Sequence, residues 1–268
     1  MKKNTPMVIA IAAVAILAGL AAYFLWQPSP PEPAPAQVQV PPPPPPPPPP
    51  EPEVRQVIEP PPIPLPSLAD SDSFMLDALA GLIGDKSLMK LFGTDRIIRN
   101  IVATIDNLPR RRAPMNVMPV KRAPDSFITA GTESDPTISP KNAARYTPYV
   151  KIAQSIDARK LVGLYVRLYP LFQQAYEELG YPKKYFNDRL IVVLDDLLAA
   201  PDIKAPVKLI RPKVYYLFAD PKLEERSIGQ RILMRIGSKN EAAIKVKLRE
   251  IKQELLLHTH EKKMENAG

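Results

Sequence analysis

The distribution of apolar residues divides the chain into stretches of different character. Every residue from Met7 to Trp26 is apolar or glycine, over 20 consecutive positions. A helix of that length rises about 30 Å, the thickness of the hydrocarbon core of a bilayer, so residues 7–26 are predicted to form a single transmembrane helix. Residues 27–66 are dominated by proline, and the periodic pattern of a globular domain begins at residue 67.

The stretch from residue 67 to residue 257 is predicted to be mainly α, a compact multi-helix domain. Apolar residues recur there at helical spacing in most segments, as in the stripe from Leu161 to Leu179. Asp157 precedes this stripe and can cap its helix, because a carboxylate accepts the unpaired N–H groups of a first helical turn. Pro170 lies inside the stripe and is expected to kink or divide the helix.

Short segments of the domain favour extended structure. Phe127–Ala130 and Thr137–Ser139 flank a turn that contains glycine and proline, so they can pair as a small β-hairpin. Val207–Phe218 fits either a buried strand or a short helix. Residues 258–268 are polar and are predicted to form a frayed tail.

The charges that flank the apolar run orient it. Lys2 and Lys3 lie within residues 1–6, and the next basic residue comes far beyond the apolar run. The positive-inside rule therefore predicts a cytoplasmic N-terminus and a domain on the other side of the membrane. Tyr23 and Trp26 would lie at the outer interface, where amphipathic aromatic rings are favoured.

A cleaved signal peptide is the alternative interpretation of residues 7–26. A signal peptide has an apolar stretch of about 7–15 residues that ends in a small-residue cleavage site. Here the apolar run continues through aromatic residues to Trp26, which favours an uncleaved anchor. Ala15 and Gly19 form a small-xxx-small pair, so the anchor helix can also support a homodimer.

Residues 27–66 are predicted to be a disordered, proline-rich stalk. Residues 28–66 contain 21 prolines in 39 positions. Proline fixes φ and lacks an amide donor, so polyproline II remains, at about 3.1 Å per residue or on the order of 120 Å when fully extended. The position directly after an anchor favours a spacer over a ligand for a proline-recognising module.

The charge balance predicts an anionic partner for the domain. Residues 67–268 contain 33 Lys and Arg but 24 Asp and Glu. Outside the cytoplasm, such a domain is attracted to anionic lipid, acidic wall glycan or an acidic envelope protein, whereas the topology argues against nucleic acid. The predicted contact site is the basic loop, which consists of Arg110, Arg111, Arg112, Lys121 and Arg122. The alternative is that this loop is a solvated, mobile segment.

The residues available for catalysis are few. The chain has no cysteine, and its two histidines, His258 and His260, lie near the end, where a surface position is the favoured interpretation. No glycine-rich phosphate loop occurs, so neither a cofactor nor a metal site is predicted. The weak catalytic candidates are Asp188 and Asp195, which would share a helix face.

A run of aromatic residues has two interpretations. Tyr165, Tyr169, Phe172 and Tyr176 recur at helical spacing. They can line a groove, but a core stripe with hydroxyl groups at its edge explains the pattern more simply.

Six sequence segments of the globular part, taken in their order along the chain, resemble a known family. They are DNLP at Asp106–Pro109, ARY at Ala144–Tyr146, YPLFQQAYEELGYP at Tyr169–Pro182, YFNDRLIVVLDDLL at Tyr185–Leu198, RPKVYYLFADPKLE at Arg211–Glu224 and GQRILMRIG at Gly229–Gly237. Together they span most of residues 66–252, and they resemble the bacterial family called domain of unknown function 3014 (DUF3014). The resemblance implies a bacterial envelope protein with an N-terminal membrane segment, and it supplies no activity or functional residues.

These features predict a single-pass protein of the bacterial inner membrane, with its C-terminal domain in the periplasm. The favoured function is a non-catalytic binding or scaffolding domain held away from the membrane by the stalk. One alternative is an envelope glycan hydrolase that uses the Asp188 and Asp195 carboxylates. Another is a TonB-like tether, although those stalks alternate proline with Glu and Lys, and this stalk has no lysine.

Overall fold

The computed structural model of the chain describes residues 64–114, 117–204 and 206–265. The predicted membrane helix and the stalk up to residue 63 lie outside the described residues. The described part is mainly helical, as predicted. Its α-helices are α1 (Ser71–Ile83), α2 (Ile97–Asn107), α3 (Thr147–Ser155), α4 (Ala158–Glu178), α5 (Phe186–Leu198), α6 (Pro221–Glu224), α7 (Ile228–Arg235) and α8 (Ser238–Glu265). Short 3-10 helices span Leu68–Asp70, Lys86–Leu91 and Pro140–Tyr146.

Two small antiparallel strand pairs accompany the helices. Strands β1 (Thr129–Gly131) and β2 (Pro136–Ile138) form the predicted hairpin. Strands β3 (Leu209–Ile210) and β4 (Leu217–Phe218) form a second hairpin, which differs from both interpretations of Val207–Phe218 because the segment turns back on itself. The two hairpins meet where the Ile138 amide donates to the Val207 carbonyl at 3.0 Å.

Helix α4 lies at the centre of the helical core. It contacts α1, α2, α5 and α8, and its buried face includes Leu168 and Phe172. The Phe172 ring stacks on that of Phe186 from α5, with centroids 5.9 Å apart. Aromatic pairs at this distance stabilise a core beyond the area they bury. The apolar stripe predicted for this helix is therefore a core face.

The two ends and the middle of α4 test the sequence predictions directly. The Asp157 carboxylate accepts the Lys160 amide at 2.8 Å and caps the helix, as predicted. Pro170 neither divides nor ends the helix, which continues from Ala158 to Glu178. A proline inside a helix costs about 3 kcal/mol. Burial of the adjacent Tyr169 and Leu171 side chains offsets that loss, because both are removed from water by the surrounding helices.

Helix α8 extends beyond the predicted end of the domain at residue 257. It begins at Ser238 and continues to Glu265. Its face toward α4 and α5 includes Leu255, which is almost completely buried. Among the helices of the described residues, none combines the length and the apolar content needed to span a bilayer.

Candidate functional site

The basic loop predicted as a contact site is divided between different parts of the domain. Arg110–Arg112 follow the end of α2, where the Arg110 carbonyl accepts the Ile228 amide at the start of α7 at 2.7 Å. The Lys121 amide instead donates to the Leu91 carbonyl at 2.7 Å, in the segment that precedes α2. Helix α2 itself rises on the order of 16 Å over its length. The two halves of the loop therefore pack against different elements.

The individual basic side chains have different surroundings. Arg110 forms an ion pair with Asp106, with a distance of 2.5 Å between Nη2 and Oδ2. Arg111 lies 3.7 Å from Glu225, and both side chains are largely exposed. Arg112, Lys121 and Arg122 are exposed. One member of the predicted site thus takes part in the internal structure, and the others are available to solvent.

Asp106, the first residue of the DNLP segment, is the centre of a buried polar network. Its Oδ1 accepts Arg189 Nε at 2.9 Å, and its main-chain oxygen accepts Arg189 Nη2 at 2.5 Å. Its Oδ2 accepts the Tyr181 hydroxyl at 3.3 Å as well as Arg110. The Asp106 carboxylate raises the pKa of Arg110 by direct electrostatic attraction. These contacts join α2, α5 and the turn after α4.

The turn between β3 and β4 exposes apolar side chains beside cations. Val214 and Tyr215 are 69% and 80% exposed, and Ile210 at the base of the turn is also exposed. Arg211 and Lys213 alternate with them and are exposed too. We refer to Ile210–Tyr215 as the hairpin tip. Within the described residues, neither cation of the tip forms an ion pair, so the tip presents apolar groups and positive charge together.

Contacts of Arg211 stabilise this turn from within. Its guanidinium carbon lies 5.2 Å from the centre of the Tyr216 ring, and its Nε donates to the Val214 carbonyl at 3.4 Å. A guanidinium over an aromatic face contributes about 0.5–1 kcal/mol at an exposed site. Arg211 therefore helps to hold Val214 and Tyr215 in their exposed positions.

The carboxylate candidates have separate environments. Asp188 lies in the first turn of α5, where burial raises its pKa. Asp195 is exposed and forms an ion pair with Lys252, which ties α5 to α8. They are seven positions apart on the helix, or about 10 Å along the axis, whereas carboxylates that flank a glycosidic bond lie roughly 5–9.5 Å apart. The geometry gives Asp195 a role in helix packing.

The most unusual feature of the helical core is a cavity of about 320 Å³. Its walls come from five helices, α1, α2, α4, α5 and α8. All its lining side chains are aliphatic, thioether or aromatic, and none is charged. Tyr165 supplies the one hydroxyl group of the lining. Cavities that bind small molecules in proteins have volumes of about 300–1,000 Å³, so this cavity has the size of a ligand site.

The cavity is partly open to solvent. Lining side chains such as Ile101, Leu164 and Ile251 are only half-buried. Removing apolar surface from water contributes about 25 cal/mol per Å². An apolar occupant that covered this lining would therefore be favoured by the hydrophobic effect.

The Tyr165 hydroxyl in the cavity wall donates a hydrogen bond to a buried side-chain amide. Tyr165 Oη donates to Asn187 Oδ1 at 3.3 Å, and the Asn187 side chain is completely buried. Burial raises the pKa of Tyr165 well above its usual value, so the hydroxyl stays uncharged even in alkaline solution where an exposed tyrosine ionises. The wall is thus uncharged as well as apolar.

The sequence contained only part of this information. Tyr165 and Phe172 belong to the aromatic stripe, and both line the cavity. Tyr169 and Tyr176 are core residues whose pKa burial raises to about 12. Helical periodicity identifies inward-facing residues, but it carries no measure of how completely they fill the space between helices. The groove interpretation of the aromatic stripe therefore included two of the lining residues, but no sequence signal predicts the volume of the cavity.

The histidines and acidic residues provide no metal centre in the described residues, where no group of three potential ligands comes together. His258 lies within α8 and is half-buried. The side chain of His260 lies outside the described part of the chain.

Comparison with known proteins identifies a family but no characterised relative. No curated protein and no solved structure matches the chain. A family model described as "Protein of unknown function (DUF3014)" matches residues 97–252, from the start of α2 into α8. This match includes both hairpins, the Asp106 network and most of the cavity lining. More than half of the sequence fits the family model, and the chain therefore belongs to the DUF3014 family.

Proposed function

We propose that this protein is a single-pass, membrane-tethered and non-catalytic binding domain of the bacterial cell envelope. In this proposal residues 7–26 anchor the chain in the inner membrane, and the stalk holds the domain in the periplasm. The domain binds an anionic lipid surface through the hairpin tip. The surplus of basic residues in the domain attracts it to such a surface over a distance of about one Debye length.

The observation that carries this proposal is the combination of groups at the tip. Val214 and Tyr215 are the most exposed large apolar residues of the described chain, and the exposed cations Arg211 and Lys213 precede them in the same turn. Tyrosine is enriched at membrane interfaces, because its ring is apolar and its hydroxyl is polar. Each cation near an anionic surface contributes about 1 kcal/mol.

A lipid surface satisfies both kinds of group. A wall glycan would neutralise the cations but would leave Val214 and Ile210 in contact with water. The headgroup region of a bilayer accepts aliphatic and aromatic side chains together with positive charge. In this proposal a fully extended stalk would reach about 120 Å, which would allow the domain to contact surfaces beyond its own bilayer.

The experiment is a binding assay between two membranes. The full-length chain is reconstituted in nanodiscs of zwitterionic lipid and mixed with vesicles that contain phosphatidylglycerol or phosphatidylcholine alone. We expect the nanodiscs to sediment with the anionic vesicles only, and less so as the salt concentration rises. Lys213→Glu changes the charge by two units, or about 2 kcal/mol, and should weaken binding about 30-fold.

Matched substitutions on α8 provide the control. Tyr215→Ser should weaken vesicle binding, whereas Val246→Ser and Lys239→Glu, which change exposed residues of similar type, should leave it unchanged. Equal binding by the tip variants and the α8 variants would refute the role of the tip. Binding to a soluble acidic glycan or an acidic protein, with no binding to vesicles, would assign the tip to that partner instead.

A further inference from the structure

We propose that the core cavity binds one unbranched acyl chain, as a fatty acid or as one chain of a phospholipid. This inference concerns a different part of the molecule from the hairpin tip and does not depend on the proposed contact with an anionic surface. It rests on the chemistry, the dimensions and the position of the cavity.

The chemistry of the walls selects a hydrocarbon. Leucine, isoleucine and valine predominate in the lining, and no charged side chain contributes to it. The Tyr165 hydroxyl already donates to Asn187, so the wall does not present a donor that requires a polar ligand atom. A charged or hydrogen-bonding group placed inside would lose its hydration without compensation. The polar end of an occupant must therefore remain at the protein surface.

The dimensions select a chain over a ring system. The lining follows α4 from Leu161 to Phe172, or on the order of 16 Å of helix. A volume of about 320 Å³ distributed over that length has a cross-section on the order of 20 Å². Carbon atoms in contact are about 3.5–4 Å apart, so this section suits a single file of methylene groups.

The position of the cavity allows a chain to enter between helices. Leu248, Ile251 and Leu255 of α8 form one wall, and α4 and α5 form the facing walls. At the surface, α8 is joined to these helices by the ion pairs Lys252–Asp195 and Arg159–Glu254. Ion pairs at exposed positions are weak and rearrange easily. Because the cavity is partly open to solvent, a chain can enter it while α8 keeps its buried contact through Leu255.

The test uses two photoreactive probes on the full-length chain in nanodiscs. One probe is palmitic acid with a diazirine in its chain, and the other is phosphatidylglycerol with the same group in one acyl chain. After irradiation and digestion, mass spectrometry locates the modified residues. We expect at least one probe to label the residues of α4, α5 and α8 that line the cavity. An excess of palmitic acid or unlabelled lipid should compete with the probe and reduce that label.

Paired substitutions on α5 make the test specific. Val193 is buried in the cavity wall, and its neighbour Val192 is exposed on the other side of the helix. Val193→Phe should reduce cavity labelling about tenfold, which corresponds to lost room for about two methylene groups. Val192→Phe adds the same ring outside and should leave labelling unchanged. Ile251→Phe fills the cavity from α8 and serves as a second variant.

The outcomes distinguish the proposal from nonspecific labelling. Circular dichroism establishes that each variant is folded before its labelling is compared. The proposal is supported if either probe labels the cavity residues and if Val193→Phe or Ile251→Phe, but not Val192→Phe, reduces that label. The probe that labels them identifies whether the chain belongs to a fatty acid or to a phospholipid. If neither probe labels the cavity residues of the parent protein, or if Val192→Phe reduces the label as much as Val193→Phe, the cavity does not bind an acyl chain.

Discussion

Replacing Asp106 by asparagine would remove the charge at the centre of the buried network while nearly preserving the shape of the side chain. Asp106 is 4% exposed and accepts hydrogen bonds from Arg110, Arg189 and Tyr181. In the variant, the asparagine amide would face guanidinium groups with a donor in place of an acceptor. The Arg189 side chain, which is mostly buried, would lose its charged partner.

The expected loss follows from the exposure of each partner. Removing one partner of a buried ion pair costs about 3–5 kcal/mol, whereas an exposed pair contributes about 0–1 kcal/mol. Arg189 is 24% exposed and Arg110 is 51% exposed, so most of the effect should come from Arg189. We therefore expect Asp106→Asn to lower the free energy of unfolding by about 3 kcal/mol, a fall in Tm of about 6–12 °C. Arg110→Met should cost less than about 1 kcal/mol.

The assay is urea unfolding of the full-length chain, followed by far-UV circular dichroism. Asp77→Asn makes the same chemical change at an exposed position of α1 and should alter the free energy of unfolding by less than about 0.5 kcal/mol. If Asp106→Asn and Asp77→Asn had equal stabilities, the network would not stabilise the fold. If Arg110→Met were as unstable as Asp106→Asn, the assignment of the effect to burial would be wrong.

Two further predictions concern ionisation and the backbone. Burial raises the pKa of Tyr169 and Tyr176 to about 12, so the folded protein keeps protons that the unfolded chain releases near pH 10. The contribution of these tyrosines to the free energy of unfolding should be complete below about pH 10. Between about pH 10 and about pH 12 the free energy of unfolding should fall by up to about 1.4 kcal/mol per pH unit for each tyrosine. Urea unfolding measures this fall, and tyrosine absorbance measures the ionisation. Gly163→Ala should stabilise α4 by about 0.5–1 kcal/mol, because the added carbon would have no described heavy atom within 4 Å apart from the adjoining residues and backbone of its own helix. Gly229→Ala should destabilise by about 1 kcal/mol, because its carbon would lie 2.5 Å from Leu197 Cδ2 and 3.2 Å from the Leu108 carbonyl oxygen; thermal unfolding of both variants tests the pair.

Where interactions are local, the sequence predicted the structure well. The cap at Asp157 and the β1–β2 hairpin depend on residues close together in the chain, and both are present. The start of α2 is different. The Asp72 carboxylate of α1 accepts the Arg96 and Ile97 amides at 2.6 and 2.8 Å, from 24 and 25 residues away. Local sequence contains no record of such a cap, because a carboxylate on another helix supplies it.

The same difference between local and long-range interactions decided which candidate site residues the sequence could predict. Composition identified the basic loop, but burial of Asp106 next to α5 decided that Arg110 would pair internally while Arg112 remained exposed. Only one of the two interpretations of Val207–Phe218, the buried strand, placed the apolar residues of the hairpin tip in the core, and the other was a short helix. Only the turn between β3 and β4 places Val214 and Tyr215 in solvent.

By itself, the sequence determined the helical class of the domain and its family membership, because periodicity, capping and ordered segments are properties of neighbouring residues. It also predicts the anchor and the stalk, which lie outside the described residues. The tertiary structure decided the Asp106 network, the exposed hairpin tip and the cavity. Arg189 reaches Asp106 across 83 positions of the chain, and the cavity is bounded by five helices whose side chains do not fill the space between them. Such features depend on how distant surfaces meet, which no local pattern of residues specifies.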